Sequence, residues 1–98
     1  MNKVLLILSL VLLASCSPKE VPIDMLVEMQ GLKYTFNSDT PFTGISFEND
    51  ENGQLQQRVN YKDGKIDGLT ELYNQKGQLA STHCWDNGES VDMSFCEQ

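Results

Sequence analysis

The chain has 98 residues, 40% hydrophobic and 21% charged, with 14 acidic and 7 basic side chains and a formal net charge of −7. Such a length allows one domain at most, and a domain of that size buries only about 60% of its unfolded surface, so a deep cavity enclosing an active site is not expected. The acidic balance and the lack of a basic patch argue against nucleic acid as a partner.

The N-terminus has three parts in order. Met1-Asn2-Lys3 carries one positive charge, Val4 to Leu13 is apolar except for Ser9, and Ala14-Ser15 places small residues directly before Cys16. This is signal-peptide anatomy, and it predicts a hydrophobic helix in the precursor over residues 1–15. The apolar run is about half the roughly twenty residues that a mature spanning helix requires. An ordinary secretory signal or a short anchor would share the charged start and the apolar run. Leu13-Ala14-Ser15-Cys16, however, closely resembles the lipobox of bacterial lipoproteins. That resemblance implies diacylglyceryl transfer to the Cys16 thiol, cleavage before Cys16, and usually acylation of the new amine. Two or three acyl chains anchor stably where one binds only marginally. In lipoproteins of enterobacterial type, aspartate after the cysteine favours inner-membrane retention. Ser17 stands there, so the resemblance implies lipid anchoring in the cell envelope, at the outer membrane.

Residues 16–23 read as the lipidated cysteine and a short polar tether. Ser17-Pro18-Lys19-Glu20-Val21-Pro22 holds two prolines, which argues against helix. The expected task of this segment is spacing from the lipid surface.

Residues 24–98 carry strand and turn signals. A two-residue turn at Gln30-Gly31 would oppose Met29 to Leu32, Val27 to Tyr34 and Met25 to Phe36 on one apolar face. The other face would set Glu28 against Lys33, a favourable cross-strand pair. This double agreement predicts a hairpin. A helix over Asp24 to Gln30 is the competing reading.

An internal repeat follows. Gly44 to Leu55 and Gly68 to Leu79 have equal length at an offset of 24 residues, which aligns Gly44 with Gly68, Gly53 with Gly77, Gln54 with Gln78 and Leu55 with Leu79. At the same offset Tyr61 meets Trp85, Asp63 meets Asn87 and Gly64 meets Gly88. A period in this range points to stacked supersecondary units, each of two short strands and two turns, with glycines at left-handed turn positions. Leu55, Val59 and Tyr61 share one face of an alternating strand, and Leu79, His83 and Trp85 share the same parity in the next copy. Tyr61 and Trp85 are therefore predicted to be equivalent packed aromatics.

Asp39-Thr40-Pro41-Phe42-Thr43-Gly44, Asn52-Gly53-Gln54-Leu55, Asn60-Tyr61-Lys62-Asp63-Gly64-Lys65-Ile66-Asp67-Gly68 and Lys76-Gly77-Gln78-Leu79 are similar to the MORN-variant repeats of the YwqK-type antitoxin family. The resemblance spans about Leu26 to Gly88. It implies an all-β fold, a meandering antiparallel sheet of MORN-like repeats, and no catalytic set. After Gly88 the chain reads Glu89-Ser90-Val91-Asp92, without a glycine at the place of Gly68. The repeat is expected to stop there and the C-terminal piece to act as a cap.

Catalytic, cofactor and metal sites are not expected. His83 is the one histidine and has no partner cluster for a triad or a zinc site. No glycine loop precedes a helix as a phosphate site would need. Asn49-Asp50-Glu51-Asn52-Gly53 lacks the spacing and distal glutamate of an EF-hand and reads as a solvated turn. Cys84 and Cys96 remain after lipidation of Cys16. An oxidising envelope favours pairing them, but a regular hairpin about Asp86-Asn87-Gly88 would hold them roughly 20 Å apart, beyond a disulfide's reach. A bridge needs the tail to leave the hairpin and fold back, and the spacing leaves both states open.

Cleavage would remove Lys3, leaving six basic against 14 acidic side chains. An acidic body is repelled by anionic head groups, so lipid on Cys16 is the expected membrane contact. A basic protein surface would suit such a body, as would plain solubility. The expected function is a membrane-tethered, non-catalytic protein-binding or scaffold module. The alternative is an immunity or antitoxin protein that neutralises a toxin.

Overall fold

The computed structural model describes residues 19–97. The expected signal peptide and Cys16 lie outside the described residues. Within them the chain forms strands β1 (Glu20–Pro22), β2 (Leu26–Met29), β3 (Leu32–Thr35), β4 (Gly44–Asn49), β5 (Leu55–Lys62), β6 (Lys65–Tyr73), β7 (Leu79–Asp86) and β8 (Glu89–Val91). Two 3-10 turns, Ile23–Met25 and Met93–Phe95, are the helical elements described. The domain is all-β, with one six-stranded sheet in the order β1-β4-β5-β6-β7-β8 and a separate β2-β3 hairpin.

Two expectations require correction. The sheet is mixed, because β1 runs parallel to β4, with Glu20 beside Ile45, Val21 beside Ser46 and Pro22 beside Phe47. The expected tether therefore ends early, since its residues 20–22 are an edge strand. The cause is Val21, only 8% exposed, which joins Phe42, Val59 and Tyr61 in the core. The Ile45 N–H donates to the Lys19 carbonyl at 2.8 Å and holds the entering chain. Pro22 is compatible with this place because an edge strand needs ladder bonds on one side only.

The β2-β3 hairpin has the register read from the sequence: Met29 opposes Leu32, Val27 opposes Tyr34, and Glu28 opposes Lys33. The Glu28–Lys33 ion pair closes at 3.2 Å, and the Phe36 N–H donates to the Met25 carbonyl at 2.8 Å. Gln30 (φ 54°) and Gly31 (φ 82°) make the turn, with two successive positive φ values as a tight hairpin turn of primed type requires. The apolar face of this hairpin is not in the core. Only Leu26, of the opposite parity, packs against the core cluster.

The 24-residue period is also a period of the backbone. β4 pairs with β5 from Gly44–Tyr61 to Glu48–Gln57, and β6 pairs with β7 from Gly68–Trp85 to Leu72–Ser81. A bulge follows Glu48 in one copy and Leu72 in the other. The bulged turns match atom for atom. The Asp50 Oδ1 accepts from the N–H groups of Asn52 (2.8 Å) and Gln54 (3.0 Å), as the Asn74 Oδ1 does from Lys76 (2.9 Å) and Gln78 (3.0 Å). The second turns correspond too. Gly64 donates to the Phe42 carbonyl and Gly88 to the Ile66 carbonyl, both at 2.8 Å.

The core lies on one face of the sheet. Ser46, Val59 and Thr70 are neighbours across β4, β5 and β6, and all three are buried. Tyr61 stands one pair along, its ring centroid 5.9 Å from that of Phe42. The hairpin docks at this end through Lys33 N–H to the Gly64 carbonyl (2.9 Å) and Phe42 N–H to the Lys33 carbonyl (2.8 Å).

Candidate functional site

The repeat positions sort by what they touch. Gly53 and Gly77 have positive φ, and open space lies where a Cβ would stand, so they serve the turn alone. Gly64 differs: a Cβ there would lie 2.9 Å from the Leu32 Cβ and 3.1 Å from the Pro41 Cβ, because the hairpin sits directly on this turn. Gly44 lies against the Lys19 carbonyl, where β1 meets β4. Gly68 (φ 99°) faces Asn60, whose amide donates to the Leu69 carbonyl at 2.8 Å. Gly88 has only the Lys65 side chain near it. These glycines serve turns and close approaches of the backbone.

Tyr61 and Trp85 are equivalent in register but not in burial, which corrects the expectation of two packed aromatics. Tyr61 is 8% exposed, while Trp85 is half-buried. The first copy supplies Phe42 as a ring partner and the hairpin as a cover. In the second copy Ile66 takes the place of Phe42, and Trp85 lies at the rim of a surface hollow.

The C-terminal tail makes the other wall of that hollow. At the repeat position of Gly68 stands Asp92, whose carboxylate accepts from the Ser94 N–H at 3.1 Å and caps the turn Met93–Phe95. The ladder between β7 and β8 ends at Cys84–Val91. The turn then carries Cys96 back over the sheet, where it forms a disulfide with Cys84 across a Cα separation of 5.9 Å. The 20 Å separation of a regular hairpin does not arise because the tail leaves the strand after Val91. Cys84 is 2% exposed.

The open hollow spans about 370 Å³ between this tail and strands β5, β6 and β7. Phe95, Leu69 and the disulfide supply apolar groups, Asn60, Asp67 and Asp86 supply polar ones, and Trp85 borders the hollow from β7, its side chain at the opposite parity to Cys84. The Trp85 indole N–H is buried without a hydrogen-bond partner, and Phe95 is 57% exposed. Asp67 accepts from the Asn87 N–H at 3.3 Å. An exposed aromatic ring beside carboxylates can hold an apolar or cationic side chain of a partner. The tail and Phe95 were not read as part of a site from the sequence, and nothing local marks them.

The residues weighed for chemistry are dispersed. His83 is exposed beside Thr70. Among the described residues no group of three or more His, Cys, Asp or Glu is disposed to hold a metal ion. The Asp50 loop uses its carboxylate to cap its own turn, a task that the Asn74 amide performs equally well in the second copy. Arg58 is held between Glu20 (3.3 Å) and Glu71 (3.8 Å) and so staples β1, β5 and β6 together. No helix among the described residues is long and apolar enough to cross a membrane. No family model matches the chain, and no curated protein and no solved structure matches it either.

Proposed function

We propose that the chain is a lipoprotein precursor whose mature form is held in the cell envelope, at the outer membrane, by lipid on Cys16. Its β domain acts there as a non-catalytic protein-binding module built from MORN-like repeats. The lipobox supports the anchor. The 24-residue period, kept in sequence and in hydrogen bonding, supports the repeat reading. The observation that carries the binding role is the hollow at the end of the repeat, where Phe95 stands exposed beside the disulfide and the carboxylates of Asp67 and Asp86. Aromatic residues are enriched at protein interfaces, and neighbouring carboxylates suit a basic partner.

The test is photo-crosslinking in intact cells, with a photoreactive phenylalanine analogue at Phe95 and, as a control, at the distant exposed Leu79. One protein captured from Phe95 in near-stoichiometric yield, lost on Asp86→Lys and absent from the control, is the expected result. Equal background from both positions contradicts the binding role. If the captured partner is a toxin whose activity the domain blocks, the immunity reading takes the place of the scaffold reading.

A further inference from the structure

We propose that the outer face of the β2-β3 hairpin rests in the membrane interface, as a second, non-covalent contact beside the lipid on Cys16. This rests on the lipoprotein reading above. Met25 is 45% exposed, Val27 36%, Met29 49% and Phe36 63%, and all four belong to one short hairpin. Their β-strand members share a parity, with Val27 opposite Tyr34 and Met29 opposite Leu32, while the charged pair Glu28–Lys33 lies on the other face of the hairpin. Contiguous apolar exposure of this kind marks a contact surface.

What covers it follows from where the chain leads. Lys19 is fixed by the Ile45 N–H and shares a surface hollow with Thr35 and Ser38, on either side of Phe36 and Asn37. Cys16 is three residues further on, and three extended residues span about 10 Å. The acyl chains therefore enter the bilayer within about that distance of the exit point, beside the end of the hairpin that carries Phe36. An apolar face held there meets the interfacial region, in which such faces settle about 5–10 Å deep. The absence of charge on this face lets it settle without help from anionic lipid, as the acidic balance of the domain requires.

The experiment uses the mature lipidated protein in vesicles of brominated phosphatidylcholine. Trp85→Phe removes the native tryptophan, and Phe36→Trp or, separately, Leu79→Trp introduces one reporter. The expected result is co-flotation of both variants, with Phe36→Trp emission shifted to the blue and quenched severalfold more than that of Leu79→Trp. Wild-type protein in the same vesicles should show Met25 and Met29 oxidised by peroxide more slowly than the half-buried Met93, the reverse of their exposure. Co-flotation with equal, weak quenching at both positions overturns the seating and leaves the anchor intact. A blue shift without quenching that grows with protein concentration means a second copy covers the face, and it also overturns the proposal. Protein that fails to float overturns the lipoprotein reading, and the seating with it.

Discussion

Tyr61 and Trp85 show how one register position takes two roles according to what lies over it. Truncating a packed aromatic costs about 3–5 kcal/mol. Tyr61→Ala should therefore remove most of the stability of a domain this small. Trp85→Ala should cost at least about 1 kcal/mol less, because its ring is already partly in water. Thermal melts of the two variants check the order; equal losses would mean that the Trp85 ring is fully covered in solution. Ser46 and Thr70 occupy the same place in the two copies, and each buries a hydroxyl that has no hydrogen-bond partner. Replacing such a group with an apolar one of the same shape removes its desolvation cost. Thr70→Val should raise stability by about 1 kcal/mol, and a fall in midpoint under urea would contradict this. The glycines divide in the same manner. Gly53→Ala strains only a left-handed turn, about 1–2 kcal/mol. Gly64→Ala adds a clash with Leu32 and Pro41, and it should destabilise more, to about 3 kcal/mol.

At the scale of elements, legibility followed the range of the interaction. The hairpin about Gln30-Gly31 could be read because turn, alternation and the Glu28–Lys33 pair all act within twelve residues. The repeat could be read because Gly44, Gly53, Tyr61 and Gly64 recur at a fixed offset, and like sequence makes like hydrogen bonds. The parallel pairing of β1 with β4 could not, because it joins residues some 25 apart in the chain and has no turn to announce it. Two prolines in the segment pointed away from it. The direction of the hairpin's apolar face was hidden for a related reason: alternation shows that one face is apolar, not whether that face meets the core. The tail was open because Cys84 and Cys96 meet only once the strand stops at Val91, and Asp92 in place of glycine is the local cause. A bridge closing a loop of this length contributes about 2–3 kcal/mol. Replacing both cysteines with alanine should lower stability by about that amount and speed hydrogen exchange chiefly over 91–97. The ladders β4-β5 and β5-β6 should keep their protection, and uniform loss of protection would show that the tail supports the whole sheet.

The whole molecule is a thin sheet whose core lies at the end where the chain enters. Val21, Phe42, Val59 and Tyr61 make that core, while the second copy carries the hollow, Phe95 and the disulfide. The point where the described chain enters and the core therefore stand at one end of the repeat and the candidate partner surface at the other. Such a division suits a tethered module, since binding at the Trp85 end need not disturb the residues that hold the sheet. All of this depends on the chain reaching its membrane through Cys16. The most direct measurement is the intact mass and N-terminal residue of the mature protein, taken beside the Cys16→Ser variant. The wild type should begin at Cys16 and carry the added mass of a diacylglyceryl group, with or without an N-acyl chain, while Cys16→Ser should remain an uncut precursor of full length. A mature protein that starts elsewhere, carries no lipid, or is trimmed normally in Cys16→Ser would contradict the account.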